Sequence, residues 1–291
     1  MQCMTPKKGF LGLDLNDAVA YDDAKAVIIP FGLENSVTYG GGTAKGPAAI
    51  IRASHEVELF DEHLWCEPFR KIGIVTLDEP KIELEIPDAL QQLENIVTRV
   101  LDDKKFPFVF GGEHSITIGA IRPFLKKYDN IILLHFDAHA DLRNGYQGQH
   151  YSHASAIRRC LDHDRLNVVS VGIRNVSMEE VPFIEENRHR IHIYWGKDKK
   201  NWDIKQIVCH LKDRPIYLTF DVDGFDSSVM PSTGTPEPGG LFWEDAIEII
   251  TAASQVGTIV GADINELAPI PNLHSCDFLV AKLAYKILSL L

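Results

Sequence analysis

Eight short apolar runs recur along the chain with little alternation inside them, and they constrain the fold more than any other feature. They cover residues 26–31, 71–77, 106–110, 131–136, 168–173, 191–195, 216–220 and 258–264. A strand with one wet face alternates apolar and polar residues, whereas a strand covered on both faces is free of that pattern. Between the runs the spacing turns helical. In residues 88–101, Leu90, Leu93, Val97, Val100 and Leu101 form one stripe, with Gln92, Glu94 and Arg99 away from it. Pro47 suits the first turn of a helix running to about residue 59, and residues 243–253 and 277–290 carry the same spacing. Strands alternating with helices predict an α/β fold, with a parallel sheet covered on both sides through right-handed crossovers. No repeat, low-complexity tract or long linker interrupts the pattern, so residues 1–291 read as a single domain.

Composition narrows the partners. With 45% hydrophobic and 24% charged residues, the chain reads as a soluble globular protein. Lys and Arg number 29 against 41 Asp and Glu, a net charge of −12, which argues against nucleic acid and favours a cationic small molecule. Asp14 and Asp17 interrupt the apolar run that follows Lys7 and Lys8, and the apolar stretch 278–291 is too short to span a bilayer, so no membrane association is expected. The five cysteines are scattered and odd in number, with no CxxC pair. That argues against a disulfide framework and a thiolate zinc site, and it points to a reducing compartment, the cytoplasm.

Four of the runs end in chemistry. Residues 106–110 lead into Gly111-Gly112-Glu113-His114-Ser115, and residues 131–136 into Asp137-Ala138-His139-Ala140-Asp141. Residues 216–220 lead into Asp221-Val222-Asp223-Gly224, and residues 258–264 into Asn265-Glu266. One Asp after a strand is ordinarily a helix cap. Asp137, His139 and Asp141 stand at i, i+2 and i+4, which in extended backbone project to one side; Asp221 and Asp223 repeat the spacing. In open α/β sheets the carboxyl ends of the strands are where ligands bind. Asp137, Asp141, Asp221 and Asp223 gathered there with His114 and His139 would repel one another unless cations were present. Two divalent ions balance four aspartates. With no thiolate, a harder ion such as manganese is favoured over structural zinc. Water shared by two such ions is a strong nucleophile near neutral pH, so the chain reads as a metal-dependent hydrolase.

The same residues resemble the ureohydrolases, the arginase and agmatinase family. The likeness runs through Gly111-Gly112-Glu113-His114-Ser115, Phe136-Asp137-Ala138-His139-Ala140-Asp141, Asp221-Val222-Asp223-Gly224-Phe225-Asp226, Pro231, Thr233-Gly234-Thr235-Pro236-Glu237-Pro238-Gly239-Gly240, and Gly261-Ala262-Asp263-Ile264-Asn265-Glu266. Gly42-Thr43, Gly46-Pro47 and Ile51-Arg52 resemble the family's N-terminal signature. The resemblance implies a three-layer α/β/α sandwich around a parallel sheet of about eight strands, and two Mn2+ ions per subunit. It implies hydrolysis of a cationic guanidino compound to an amine and urea. The first manganese would be held by His114, Asp137, Asp141 and Asp221, the second by His139, Asp137, Asp221 and Asp223. Glu266 would pair with the guanidinium, and His153 would shuttle a proton to the leaving amine; Asp141 stands with them as a catalytic candidate. A homo-oligomer, trimer or hexamer, is also implied.

Substrate choice turns on residues 143–151. Where arginases carry an Asn two residues past the last Asp of the motif, this chain has Arg143, and Leu267-Ala268-Pro269 looks closer to agmatinases. Agmatine is therefore the expected substrate, with aminopropylagmatine, guanidinobutyrate or another guanidino acid as alternatives. Arg143 facing the pocket would favour a guanidino acid; paired outward with a carboxylate it would leave room for a second amine. Two other classes stay open at this point: a deacetylase with a single zinc, and a non-catalytic scaffold that keeps metals for stability.

Overall fold

A computed structural model describes residues 1–291. The strands are β1 (Ala26–Phe31), β2 (Ile74–Thr76), β3 (Phe106–Gly111), β4 (Ile132–Phe136), β5 (Asn167–Ile173), β6 (Ile191–Trp195), β7 (Pro215–Asp221) and β8 (Thr258–Asn265). The helices are α1 (Gly46–Ser54), α2 (Pro68–Ile72), α3 (Ile86–Asp102), α4 (Ile116–Lys127), α5 (Ala156–Cys160), α6 (Val181–Glu186), α7 (Ile204–Cys209), α8 (Trp243–Val256) and α9 (His274–Ser289). All eight strands form one parallel sheet in the order β2-β1-β3-β8-β7-β4-β5-β6.

Helices cover both faces, and the strands feed both sides in alternation. Ile28, Phe108, Phe110, Leu134 and Leu218 pack with α1, α7, α8 and α9. Val27, Ile29, Val109, Leu133 and Tyr217 pack with α3, α4 and α5 on the other face. Successive side chains of a strand point to opposite faces. With a core on each side, both sets must be apolar, which is why the runs show no alternation.

The topology sets where a site can form. The central strands β3, β8, β7 and β4 lie side by side although the chain reaches them out of order. The crevice that such a reversal opens lies at the carboxyl edge. Gly224 keeps the tails of β4 and β7 in contact there, since a Cβ on it would meet the Asp137 backbone nitrogen at 2.9 Å.

Some boundaries differ from the sequence pattern. The run 71–77 is split: α2 takes residues 68–72, Gly73 ends it with φ +63°, and β2 keeps three residues. Pro68 in the first turn and a glycine past the last are the sequence signs of that helix. The helix from Pro47 stops at Ser54, whose hydroxyl donates to the Ile51 carbonyl and accepts the Leu11 N–H. Helix α4 escapes pattern reading because Pro123 lies inside it. Gly119 lets α4 approach α3, as a Cβ there would meet the Leu90 carbonyl oxygen at 2.5 Å. The apolar C-terminal stretch is a core helix, α9, and no helix is long and apolar enough to cross a membrane. Of the tryptophans, Trp195, Trp202 and Trp243 pack against the cores, but Trp65 is 78% exposed and anchors nothing inside.

Candidate metal centre

The four central strands each deliver acid or imidazole to one edge. His114 follows β3, Asp137 follows β4, Asp221 closes β7 and Glu266 follows β8. His139 and Asp141 come from the segment after β4, which bends at Ala138, and Asp223 from the turn after β7. Asp141 and Glu266 have φ of +53° and +66°, left-handed conformations that non-glycine residues seldom adopt. Both sit in the cluster, where strain of this kind aims side chains that packing alone would not.

The residues converge as the spacing predicts, although the chain bends at Ala138 and turns left-handed at Asp141 rather than staying extended. His114 Nδ1 lies 2.9 Å from Asp141, 3.1 Å from Asp137 and 3.5 Å from Asp221. His139 Nδ1 lies 2.9 Å from Asp223 and 3.6 Å from Asp137. Asp137 thus belongs to both groups, and its Oδ1 also accepts the His139 N–H at 2.5 Å. All six residues meet at one place, and all but His139 are buried.

The charges there are out of balance. Burial, then the Asp137 charge, pushes the Asp141 carboxyl up to about 7. Burial and the neighbouring Asp223, Asp137 and Glu266 hold Asp221 well above the usual carboxylate range. Glu266 is raised as well, chiefly by burial. Asp137 goes the other way: burial opposes ionisation, but hydrogen bonds to His114, His135 and His139 overcome it. Conversely, burial disfavours charge on His114 and His139, yet the surrounding aspartates raise both, His139 to about 12. A cluster that protonates itself to stay together, with only oxygen and imidazole donors, fits divalent cations.

Behind the cluster lies support that the sequence reading passed over. His114 Nε2 meets the Thr219 hydroxyl at 2.9 Å, and Thr219 donates to Asp263 at 2.6 Å. Tyr217 and Asn265 also donate to Asp263, at 2.7 and 2.6 Å. His135, wholly buried in β4, bridges Ser170 at 3.0 Å and Asp137 at 2.8 Å. Such partners fix which imidazole nitrogen is free to bind a metal. Their signal was present: a histidine two residues before Asp137, and an acid inside an apolar strand.

Above the cluster opens a cavity of about 320 Å³, reached by His114, His139, Asp141, Asp221, Asp223 and Glu266 from below. Its wall includes Arg143, Tyr146, His153, Asn175, Glu180 and Thr233. His153, from residues 153–155, is pushed down to about 4 by burial and then by the positive histidines below. Arg143 pairs with Glu179, its guanidinium 4.9 Å from the Tyr146 ring centre. Glu180 is saturated by the Leu142 and Ser177 N–H groups and the Ser177 hydroxyl. Asn175 Nδ2 and Thr233 Oγ1 are buried in this wall without a partner.

A sequence model described as Arginase family matches residues 24–289, a span that holds all eight strands and the whole cluster. The chain belongs to the arginase family. An N(1)-aminopropylagmatine ureohydrolase from a Synechocystis species is 33% identical to this arginase-family chain over 285 residues, 95% of the chain and 92% of the relative. An agmatinase from Bacillus cereus is 32% identical over 257 residues, 86% of each. The crystal structure of agmatine ureohydrolase of Thermoplasma volcanium superposes with a TM-score of 0.86 and 30% identity, covering 97% of the chain and 94% of that structure.

Proposed function

We propose that the chain hydrolyses a guanidino compound to an amine and urea, with agmatine as substrate and putrescine as the amine. One observation carries the reading: Glu266 shares the cavity with the six-residue donor cluster. One Glu266 oxygen accepts the His114 N–H at 2.7 Å, and the other has no protein donor. A planar guanidinium offers paired N–H donors that match a carboxylate.

Two manganese ions are the proposed cofactor, one on His114, Asp137, Asp141 and Asp221, the other on His139, Asp137, Asp221 and Asp223. When bound, such a pair neutralises the four aspartates and supplies a strong nucleophile from water at neutral pH. The chain's own residues do the rest. Glu266 orients the guanidinium carbon above the cluster. His153, uncharged at neutral pH in this setting, takes up a proton and delivers it to the leaving nitrogen, whose C–N bond breaks with its electron pair.

The rim supports a substrate with a second amine. Glu179 takes up the charge of Arg143, so no unpaired cation faces the mouth. A guanidino acid would need that cation free. Aminopropylagmatine is the second reading, favoured by the Synechocystis relative that bears its name over 95% of the chain. Five cysteines, none in a disulfide, support a cytoplasmic setting. Residues 1–291 acting as one domain and assembly into a trimer or hexamer complete the proposal; a monomer by light scattering would defeat the last part.

The test is urea release from manganese-loaded protein against agmatine, aminopropylagmatine, arginine, guanidinobutyrate and free guanidine, with His139→Ala as control. Turnover of agmatine, lost in the variant, is the expected result. Silence on the whole panel from protein holding two metals would overturn it.

A further inference from the structure

His153 does not stand alone in the cavity wall. Its Nδ1 lies 3.1 Å from Ser36 Oγ, and its backbone N–H donates to the same oxygen at 3.0 Å. Behind Ser36 is Glu113, fully buried. Glu113 Oε1 accepts the Ser36 hydroxyl at 2.9 Å and the Ser115 hydroxyl at 2.5 Å. Its Oε2 accepts the backbone N–H groups of Asn35 and Ser36, at 2.7 and 2.6 Å. One carboxylate therefore ties the loop after β1 to the turn that carries His153.

The directions of these bonds follow from counting hydrogens. A serine hydroxyl has one proton and two lone pairs. The His153 backbone N–H can only donate, so it takes one lone pair. Glu113 Oε1 and His153 Nδ1 then compete for the single proton. A hydrogen bond to a carboxylate is roughly twice as strong as a neutral one, so the proton goes to Glu113. The remaining lone pair of Ser36 faces Nδ1, which must carry hydrogen. The lone pair of the neutral ring is left on Nε2, which has no hydrogen bond to protein.

We propose that Glu113 and Ser36 are positioning residues that hold His153 in the Nδ1–H tautomer and so make Nε2 the atom that moves the proton. The inference rests on the proposed reaction, in which His153 serves the leaving amine. Nε2 accepts the proton that the attacking water loses as its O–H bond breaks and its oxygen adds to the guanidinium carbon, giving the imidazolium. The Nε2–H bond then breaks as an N–H bond forms on the amine nitrogen, which keeps the electron pair of the broken C–N bond. The ring returns to its neutral form with Nδ1–H unchanged. In the opposite tautomer the neutral ring would present N–H to the cavity and could not reload.

Histidine-selective 15N NMR of the metal-free protein reads the tautomer without any assay, with the His153 signals assigned by their loss in His153→Ala. The wild type is expected to show a protonated Nδ1 and an unprotonated Nε2. In Glu113→Gln the new amide donates to Ser36, the hydroxyl turns to Nδ1, and the tautomer reverses. In manganese-loaded protein, Ser36→Ala should lower kcat by roughly 10–100-fold while KM for agmatine stays within about twofold, and Ser36→Thr should recover most of the loss. An Nε2–H wild type, or a tautomer indifferent to both Glu113→Gln and Ser36→Ala, would overturn the inference whatever the urea assay gives. A wild type with the Nδ1–H ring but no urea from any guanidino compound would support the positioning and overturn the reaction instead.

Discussion

Asp221 closes β7 and Asp226 follows five residues later, in opposite surroundings. Asp221 lies among Asp137, Asp223 and Glu266, and burial with their charge holds its carboxyl well above the ordinary range. Asp226 accepts the Ser228 hydroxyl and N–H and the Gly239 and Gly240 N–H groups. Those bonds, the Ser228 hydroxyl first, bring it down to about 2. Glu266 and Glu113 repeat the contrast: one with a single backbone donor, the other with four donors around its two oxygens. A carboxylate supplied with protein donors is a staple. One deprived of them, at the floor of a cavity, is open to a cation.

The largest effect should come from removing charge at the floor. Asp221→Asn is expected to lose bound metal and at least roughly 10³-fold in urea release, beyond the 10–100-fold typical of a ligand's supporting partner. Asp226→Asn should keep both metals by elemental analysis, because it touches only the loop that brings Thr233 and Thr235 into the wall. Equal metal loss in the two variants would erase the distinction.

Stability should separate the two kinds of carboxylate by the sign of their pH dependence. In metal-free protein the raised groups, Asp141 at about 7 with Asp221 and Glu266, stabilise when protonated, and that contribution is lost as pH rises through 7. His114 and His139, also raised, act in the same direction. His135, His153, His192 and His210, all lowered chiefly by burial, oppose them below the unfolded imidazole value. Asp226 is the reverse of the floor: its contribution is full above its unfolded value and fades as pH falls toward 2. Thermal melting of the metal-free protein should therefore drop between about pH 6.5 and 8, above the range where the lowered histidines oppose it, and saturating metal should cancel the drop. Metal at a thousand times its Kd adds about 4 kcal/mol. A metal-free Tm that climbs across that window would contradict the unbalanced floor.

Thr219→Val tests the support behind the floor with little change of volume. It leaves His114 Nε2 without its hydroxyl partner, so metal affinity should fall roughly 10–100-fold by competition with a chelator. An unchanged affinity would mean that packing alone orients the ring.

How much of this was legible in the sequence follows the same division. The floor is made of strand ends, and the two-residue spacing of Asp137, His139 and Asp141 marked a convergent set, although a bend at Ala138 and a left-handed Asp141, not strand alternation, complete it. The parallel sheet was legible for a related reason, since cores on both faces leave unbroken apolar runs. Glu113 and Asp226 stand inside the motifs and Glu180 outside them, but nothing in the sequence tells that all three are held by protein donors. Their donors come from residues 35–36 and 115, 142 and 177, and 228 and 239–240, contacts that the conformation of the loops creates. His135 was hidden for another reason: inside an apolar run, a histidine reads as part of the strand rather than as a partner of the acid two places on. Arg143 could be placed near the site, but the choice between its two directions depends on Glu179, 36 residues later.

That choice gives the smallest expected effect. The Arg143–Glu179 pair is partly exposed, and such pairs are worth roughly 0–1 kcal/mol. Arg143→Ala should accordingly change kcat/KM for agmatine by no more than about threefold, since it removes a cation already neutralised. Glu179→Ala leaves Arg143 beside the mouth without its partner. KM for the dicationic agmatine should then rise while KM for guanidinobutyrate falls. The shift should shrink at high salt, because charges at the rim are screened and those at the floor are not. If Arg143→Ala instead costs agmatine turnover tenfold or more, the side chain reaches the substrate, and the rim does chemistry that its pairing with Glu179 conceals.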